Sequence, residues 1–154
     1  MKKKILIVSG DPNSINSEII FKSWNKINNS IKRRIYLITN YNLIKDQFKK
    51  LKFSLKIKKV ESIYEASEDR ALKVINVPIK YKNPFNISNT NSSKFVIESL
   101  NLAHKMCIKN KKVIGIINCP IDKTLLKKNK IGVTEYLALK CGLKKKFRSN
   151  AAME

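Results

Sequence analysis

The sequence has little cysteine and histidine and lacks any long apolar run. Its three cysteines, Cys107, Cys119 and Cys141, include no CxxC pair, which argues against a disulfide framework and against a zinc ribbon. The single histidine, His104, is the one imidazole that could activate Cys119 as a nucleophile, so we interpret the cysteines mainly as core or near-core thiols. No apolar run approaches the roughly 18 residues needed to cross a bilayer.

The N-terminus, MKKKILIV, superficially resembles a signal peptide. Its apolar part is too short, and Gly10-Asp11-Pro12 stands where a small-residue cleavage site would be expected. With 43% hydrophobic residues the chain has the composition of a globular protein. We therefore expect a cytoplasmic protein without a membrane partner.

Acidic residues are scarce as well: 11 Asp and Glu oppose 33 Lys and Arg, which gives a net charge of +22. Such a charge suggests nucleic acid or another polyanion as a partner. Nearly all the cations are lysines spread along the whole chain, and Lys, Asn and Ile are together typical of an AT-rich coding sequence. We keep nucleic-acid binding as an alternative and expect no specific nucleic-acid partner.

Strand-like and helix-like segments alternate along the chain. This order predicts an α/β fold with a mostly parallel sheet and helices on both faces. Residues 53–60 alternate apolar and basic residues, which is typical of an edge strand, whereas the continuous apolar run Val113 to Ile117 predicts a buried strand. The predicted strands are 4–9, 34–39, 53–60, 71–77 and 113–117; the predicted helices are 16–28, 42–51, 93–109, a short lysine-rich helix after Pro120, and one that begins at Thr134.

The remaining segments are predicted to be loops and a tail. Residues 61–70 are acidic and residues 78–92 are rich in Pro, Asn and Ser, so both read as loops. We expect residues 1–142 to form the α/β part and residues 143–154 to be a truncated or disordered tail.

Two loops follow apolar strands and are candidate sites, because open α/β sheets bind ligands at the carboxyl ends of their strands. The first begins at Gly10 and Asp11 and leads into a helix whose first amides could face an anion. It has one glycine, so it is neither a GxGxxG loop nor a P-loop, and a plain capped turn remains an alternative. In the second, Asn118, Asp122 and Lys123 could orient a polar or phosphorylated substrate.

Together the two loops resemble the 4-hydroxythreonine-4-phosphate dehydrogenases of pyridoxal phosphate synthesis. The first motif of that family is G-D/E-P-A-G-I-G-P-E, which this sequence matches at Gly10, Asp11, Pro12, Ile15 and Glu18. The second is T-A/G-P-(I/V)-x-K, followed about ten residues later by G-H-T-E-(F/Y), which this sequence matches at Pro120, Ile121, Lys123, Gly132, Thr134, Glu135 and Tyr136. It departs from the first motif at Asn13, Ser14, Asn16 and Ser17, and from the second at Val133, where the family has histidine.

The resemblance implies a fold similar to isocitrate and isopropylmalate dehydrogenases. It implies a homodimer that oxidises and decarboxylates 4-phosphooxy-L-threonine with NAD and a divalent metal (Zn, Mg or Co). Thr134 and the position of Val133 would then contact substrate, together with Lys123 and Asp122. The phosphate and loop candidates are Gly10, Asp11 and Asn118.

Members of that family are much longer, and their metal-binding histidines and most of their NAD site lie beyond the matching part. The resemblance therefore implies an N-terminal half that has no metal site of its own and is inactive alone. The alternative is a diverged phosphate- or hydroxy-acid-binding module without catalysis. Because half of a two-domain α/β enzyme often exposes an apolar interface, we expect poor solubility or self-association.

Overall fold

The computed structural model describes residues 2–65, 70–126 and 131–142. In these ranges the elements are β1 (Lys4–Val8), α1 (Asn16–Lys26), α2 (Asn29–Lys32), β2 (Ile35–Thr39), α3 (Tyr41–Lys50), β3 (Ile57–Val60), β4 (Leu72–Asn76), α4 (Asn89–Lys109), β5 (Val113–Asn118), a 3-10 turn (Lys123–Leu126) and α5 (Val133–Lys140). The predicted tail 143–154 lies outside the described residues, as do positions 127–130 of the predicted lysine-rich helix. None of the described helices is long and apolar enough to span a membrane.

The five strands form one sheet in the order β3-β4-β2-β1-β5, and every neighbouring pair is parallel. The predicted parallel sheet is therefore confirmed. Within the described residues β3 is an edge strand, as its alternation predicted, and it exposes Lys58 and Lys59. Since all carboxyl ends meet at one edge of the sheet, the loops after β1 and β5 emerge side by side.

Each face of the sheet is covered by helices, which confirms the predicted layering. One apolar cluster joins Leu6 of β1 to Phe95 and Leu100 of α4. The other contains Trp24 of α1 and Phe48 of α3. Burying a side chain of this size contributes about 1.5–3 kcal/mol, so these two clusters are the main source of stability.

Two helix starts differ from the prediction because short polar side chains cap them. The Ser88 hydroxyl accepts a hydrogen bond from the Asn91 N–H at 3.3 Å, so α4 begins four residues earlier than expected. The Asn28 side chain accepts one from the Ile31 N–H at 3.0 Å and starts α2, which was not predicted. Such caps satisfy helix-start donors without any apolar periodicity.

The prediction of a buried strand at 113–117 is wrong. In the described residues β5 pairs with β1 alone, and Ile114 and Ile117 are 49% and 55% exposed. A continuous apolar run is typical of a strand covered on both faces, but α1 and α3 pack over the β1, β2 and β4 side chains instead. Unlike β3, β5 carries no lysine that would discourage edge pairing.

Ile117→Lys is expected to reduce self-association of the chain. An unprotected apolar edge strand favours pairing with another chain, and a lysine on that strand opposes it. We expect sedimentation equilibrium to show association of the unchanged protein and a dissociation constant about tenfold higher for the variant, equivalent to about 1.4 kcal/mol. Ile31→Lys on α2 is the matched control, because Ile31 is also exposed but lies in a helix. A concentration-independent monomer would contradict the prediction.

Candidate functional site

The loop after β1 depends on a glycine at its first turn. Gly10 has φ +74°, a conformation that other residues rarely adopt. A Cβ built on Gly10 would lie 2.6 Å from the Pro120 carbonyl oxygen and 2.8 Å from that of Cys119. The backbone after β1 and the backbone after β5 are therefore in direct contact.

Hydrogen bonds join the same two loops. The Pro120 carbonyl accepts from the Asp11 N–H at 3.2 Å and from Asn16 Nδ2 at 2.7 Å. The Asn16 amide also donates to the Asp11 carbonyl at 3.3 Å. The two loops that the sequence presents as separate candidate sites thus form one continuous surface at the carboxyl edge of the sheet.

A third loop, residues 77–88 between β4 and α4, is tied to this surface by amide side chains. Asn13 and the backbone of Ile87 exchange two hydrogen bonds, each 2.8 Å long. Gln47 of α3 is buried and donates to the Pro12 carbonyl at 2.8 Å and to the Pro84 carbonyl at 2.7 Å. Sequence reasoning missed these roles, because an isolated Asn or Gln gives no signal of a partner so far along the chain.

Lys123 is the first residue of the 3-10 turn after β5, Asp122 directly precedes it, and both are exposed. Asp122 Oδ1 accepts hydrogen bonds from the N–H and the hydroxyl of Thr124, both at 2.9 Å, and these bonds lower the pKa of the carboxyl. Asn118 is also exposed, and its Nδ2 donates to the Cys119 carbonyl at 3.3 Å. The carboxylate of Asp122 therefore shapes the turn that presents the Lys123 ammonium to solvent.

The start of α5 is fixed by two residues of the T-E-Y run. The Glu135 carboxylate accepts a hydrogen bond from the Gly132 N–H, and the Tyr136 hydroxyl donates to Asn101 Oδ1 at 2.7 Å. Thr134 directly precedes Glu135 and is exposed in the first turn of α5. Val133, at the position where the family has histidine, is partly buried and packs against the apolar cluster under α4.

The structure does not support Cys119 as a nucleophile. Cys119 is 8% exposed, and burial raises the pKa of its thiol to about 11. His104, its candidate partner, is instead 3.3 Å from the Sγ of Cys141. Cys119 is thus a core thiol, as the interpretation of the cysteines predicted.

A metal ion needs several converging ligands, and NAD needs a site for its pyrophosphate. In residues 2–65, 70–126 and 131–142, no three His, Cys, Asp or Glu side chains come together in a way that could hold a metal ion. The β1 loop has the single glycine Gly10 and offers no GxGxxG cradle for a pyrophosphate. The described residues therefore supply neither a three-ligand metal cluster nor a glycine-rich pyrophosphate loop.

Three solved structures share the fold. A 4-hydroxythreonine-4-phosphate dehydrogenase from Burkholderia phymatum is 20% identical with a TM-score of 0.80, and the match covers 94% of this chain and 45% of that one. Another from Klebsiella pneumoniae is 17% identical (TM-score 0.72, 90% of this chain and 45% of that one), and a protein from Salmonella typhimurium is 22% identical (TM-score 0.75, 90% of this chain and 44% of that one). The chain spans less than half the length of each.

Sequence comparison gives the family. Among curated proteins no match was found. A family model described as pyridoxal phosphate biosynthetic protein PdxA matches residues 30–152, which include the β5 loop and α5. The chain belongs to the pyridoxal phosphate biosynthetic protein PdxA family.

Proposed function

We propose that the protein containing this chain is a dehydrogenase that oxidises and decarboxylates 4-phosphooxy-L-threonine with NAD, assisted by a divalent metal, and works as a homodimer. This chain's part in the reaction is substrate binding. The observation that carries the proposal is the backbone contact between the β1 and β5 loops at Gly10 and Pro120. The contact brings the loop after β1 against the loop after β5 at the carboxyl edge of a parallel sheet, where such folds bind ligands, and this supports a substrate site there.

Each candidate residue has a role that suits its placement. The exposed Lys123 ammonium neutralises the substrate phosphate, and the exposed Thr134 hydroxyl offers a hydrogen bond at the start of α5. Asp122 holds the turn that carries Lys123. Asp11 and Asn118 supply polar contacts beside the junction of the two loops.

Calorimetry with 4-phosphooxy-L-threonine tests this assignment. We expect Lys123→Ala to weaken binding about tenfold, because a charge-assisted hydrogen bond to a phosphate contributes about 1.5–3 kcal/mol. Lys45→Ala is the matched control: Lys45 is an exposed lysine of α3, and its loss removes the same charge. Equal weakening by both variants, or equal binding of inorganic phosphate in about 200 mM salt, would show that the net charge alone attracts the ligand.

The alternative is a diverged module that binds a phosphorylated hydroxy-acid without catalysis. The partly buried Val133 favours it, because a valine packed against the core cannot donate a hydrogen bond to substrate. Calorimetry with a series of phosphorylated hydroxy-acids separates the two functions. A dehydrogenase site binds 4-phosphooxy-L-threonine most tightly, whereas a diverged module binds another member of the series better.

A further inference from the structure

A thiol and an imidazole meet on the surface away from the two loops. Cys141 follows α5 directly, and its Sγ lies 3.3 Å from the Nε2 of His104 on α4. Cys141 is exposed and His104 is partly exposed, so small molecules in solvent can reach the pair. His104 is the only histidine of the sequence, and its contact with Cys141 is within hydrogen-bonding distance.

We propose that Cys141 is an oxidation site that reacts with hydroperoxides and that His104 accepts its proton. In this step the Cys141 sulfur attacks one peroxide oxygen, an S–O bond forms and the O–O bond breaks. The thiol proton passes to His104 Nε2 and from there to the departing hydroxide, which leaves as water. The sulfur is oxidised to a sulfenic acid and the peroxide is reduced, so hydrogen peroxide is the one co-reactant required.

The other two cysteines lack the features that make Cys141 reactive. Cys119 is buried, and its thiol stays protonated because burial raises its pKa to about 11. Cys107 is half-buried and packs against the apolar cluster under α4. The three thiols therefore differ in exposure and in neighbouring side chain, so their oxidation rates can be compared within one protein.

Cys141 lies in a basic part of the sequence. Attack requires negative charge on the sulfur, and reactive cysteines are found in electropositive, partly exposed surroundings. Lys140 is adjacent in sequence, and the chain carries a net charge of +22. None of this depends on the proposed dehydrogenase function, since α4 and the end of α5 lie outside the two loops.

Limited oxidation of the full chain tests the proposal. The protein is treated with hydrogen peroxide in the presence of dimedone, and sulfenic acid at each cysteine is followed by peptide mass spectrometry. We expect Cys141 to be labelled at least about tenfold faster than Cys107 and Cys119. His104→Asn is expected to slow labelling of Cys141 about tenfold, since the imidazole no longer takes the proton.

Controls separate the imidazole from general effects of charge and folding. Lys105→Gln removes a neighbouring exposed cation of α4 and is expected to leave the rate at Cys141 within twofold. If His104→Asn loses the native circular dichroism spectrum, His104→Gln replaces it with a longer amide. A Cys141 rate that is unchanged in a folded His104 variant would overturn the proposal, as would a Cys107 rate equal to that of Cys141.

Discussion

Gly10→Ala is expected to lower the free energy of unfolding by about 3 kcal/mol. Roughly 1–2 kcal/mol comes from holding a residue with a Cβ at positive φ. The rest comes from contact, because the new methyl group would lie 2.6 Å from the Pro120 carbonyl oxygen and 2.8 Å from that of Cys119. These neighbours are backbone atoms that cannot rotate away, so the β1 and β5 loops must separate.

The other glycines provide matched controls for the two causes. Gly142 has φ +73° with no atom of the described residues within 4 Å of its built Cβ, so Gly142→Ala isolates the cost of the backbone conformation. Gly115 lies in β5 with the same open space and without positive φ, so Gly115→Ala is expected to change stability by less than about 1 kcal/mol. Urea denaturation followed by circular dichroism measures all three. If Gly10→Ala costs no more than Gly142→Ala, the two loops are not in contact.

Separation of the two loops should also weaken ligand binding, and the Gly10→Ala variant can be used to test this. The proposed site depends on the loop after β1 lying against the loop after β5. Gly10→Ala at a temperature where it remains folded is therefore expected to bind 4-phosphooxy-L-threonine more weakly, although Gly10 has no side chain to contact it. Unchanged affinity would place the ligand on the β5 loop alone.

The fold could be predicted because its signals are local. Continuous or alternating apolar runs identified the strands, and the lysines at Lys58 and Lys59 identified an edge of the sheet. The position of β5 could not be predicted in the same way. The burial of β5 depends on whether a helix packs over Ile114 and Ile117, and an apolar run alone does not tell whether one does.

The candidate site could be proposed from the sequence in its parts, but its assembly could not. The motifs point to Gly10, Asp11 and Lys123 as candidates, whereas the bond from Asn16 to Pro120 spans 104 positions and has no local signature. Asn16 is also one of the positions that departs from the family motif. A residue that differs from the family motif thus forms a hydrogen bond between the two loops.

Because Lys73 is buried, we expect the free energy of unfolding to increase as the pH rises above 8. Lys73 is 2% exposed, its Nζ donates to the Arg33 carbonyl at 2.8 Å, and it lies 4.3 Å from the centre of the Tyr36 ring. Burial, followed by the charge of Lys4, lowers the pKa of Lys73 from 10.5 to about 8. The ring and the single carbonyl do not fully replace the water that the ammonium loses.

The direction of the effect follows from proton linkage. Below pH 8 the ammonium is charged in both states, and the folded protein bears the full cost of burying it. Between about pH 8 and 10.5 the unfolded chain holds the proton more often than the folded protein, so raising the pH favours folding. The gain is at most about 3 kcal/mol, since one pKa unit corresponds to about 1.36 kcal/mol.

Urea denaturation at pH 7.5, 9 and 10.5 of the unchanged protein and of Lys73→Met measures this gain. The stability of the unchanged protein is expected to rise relative to the variant by about 2–3 kcal/mol across the series, because methionine has no proton to release. Lys45→Met removes an exposed lysine and corrects for the general relief of repulsion as other lysines lose charge. If Lys73→Met keeps the same rise as Lys45→Met, the gain belongs to the net charge of the chain and not to the buried ammonium. A rise confined to proteins that retain Lys73 would instead mean that this one lysine opposes folding at neutral pH.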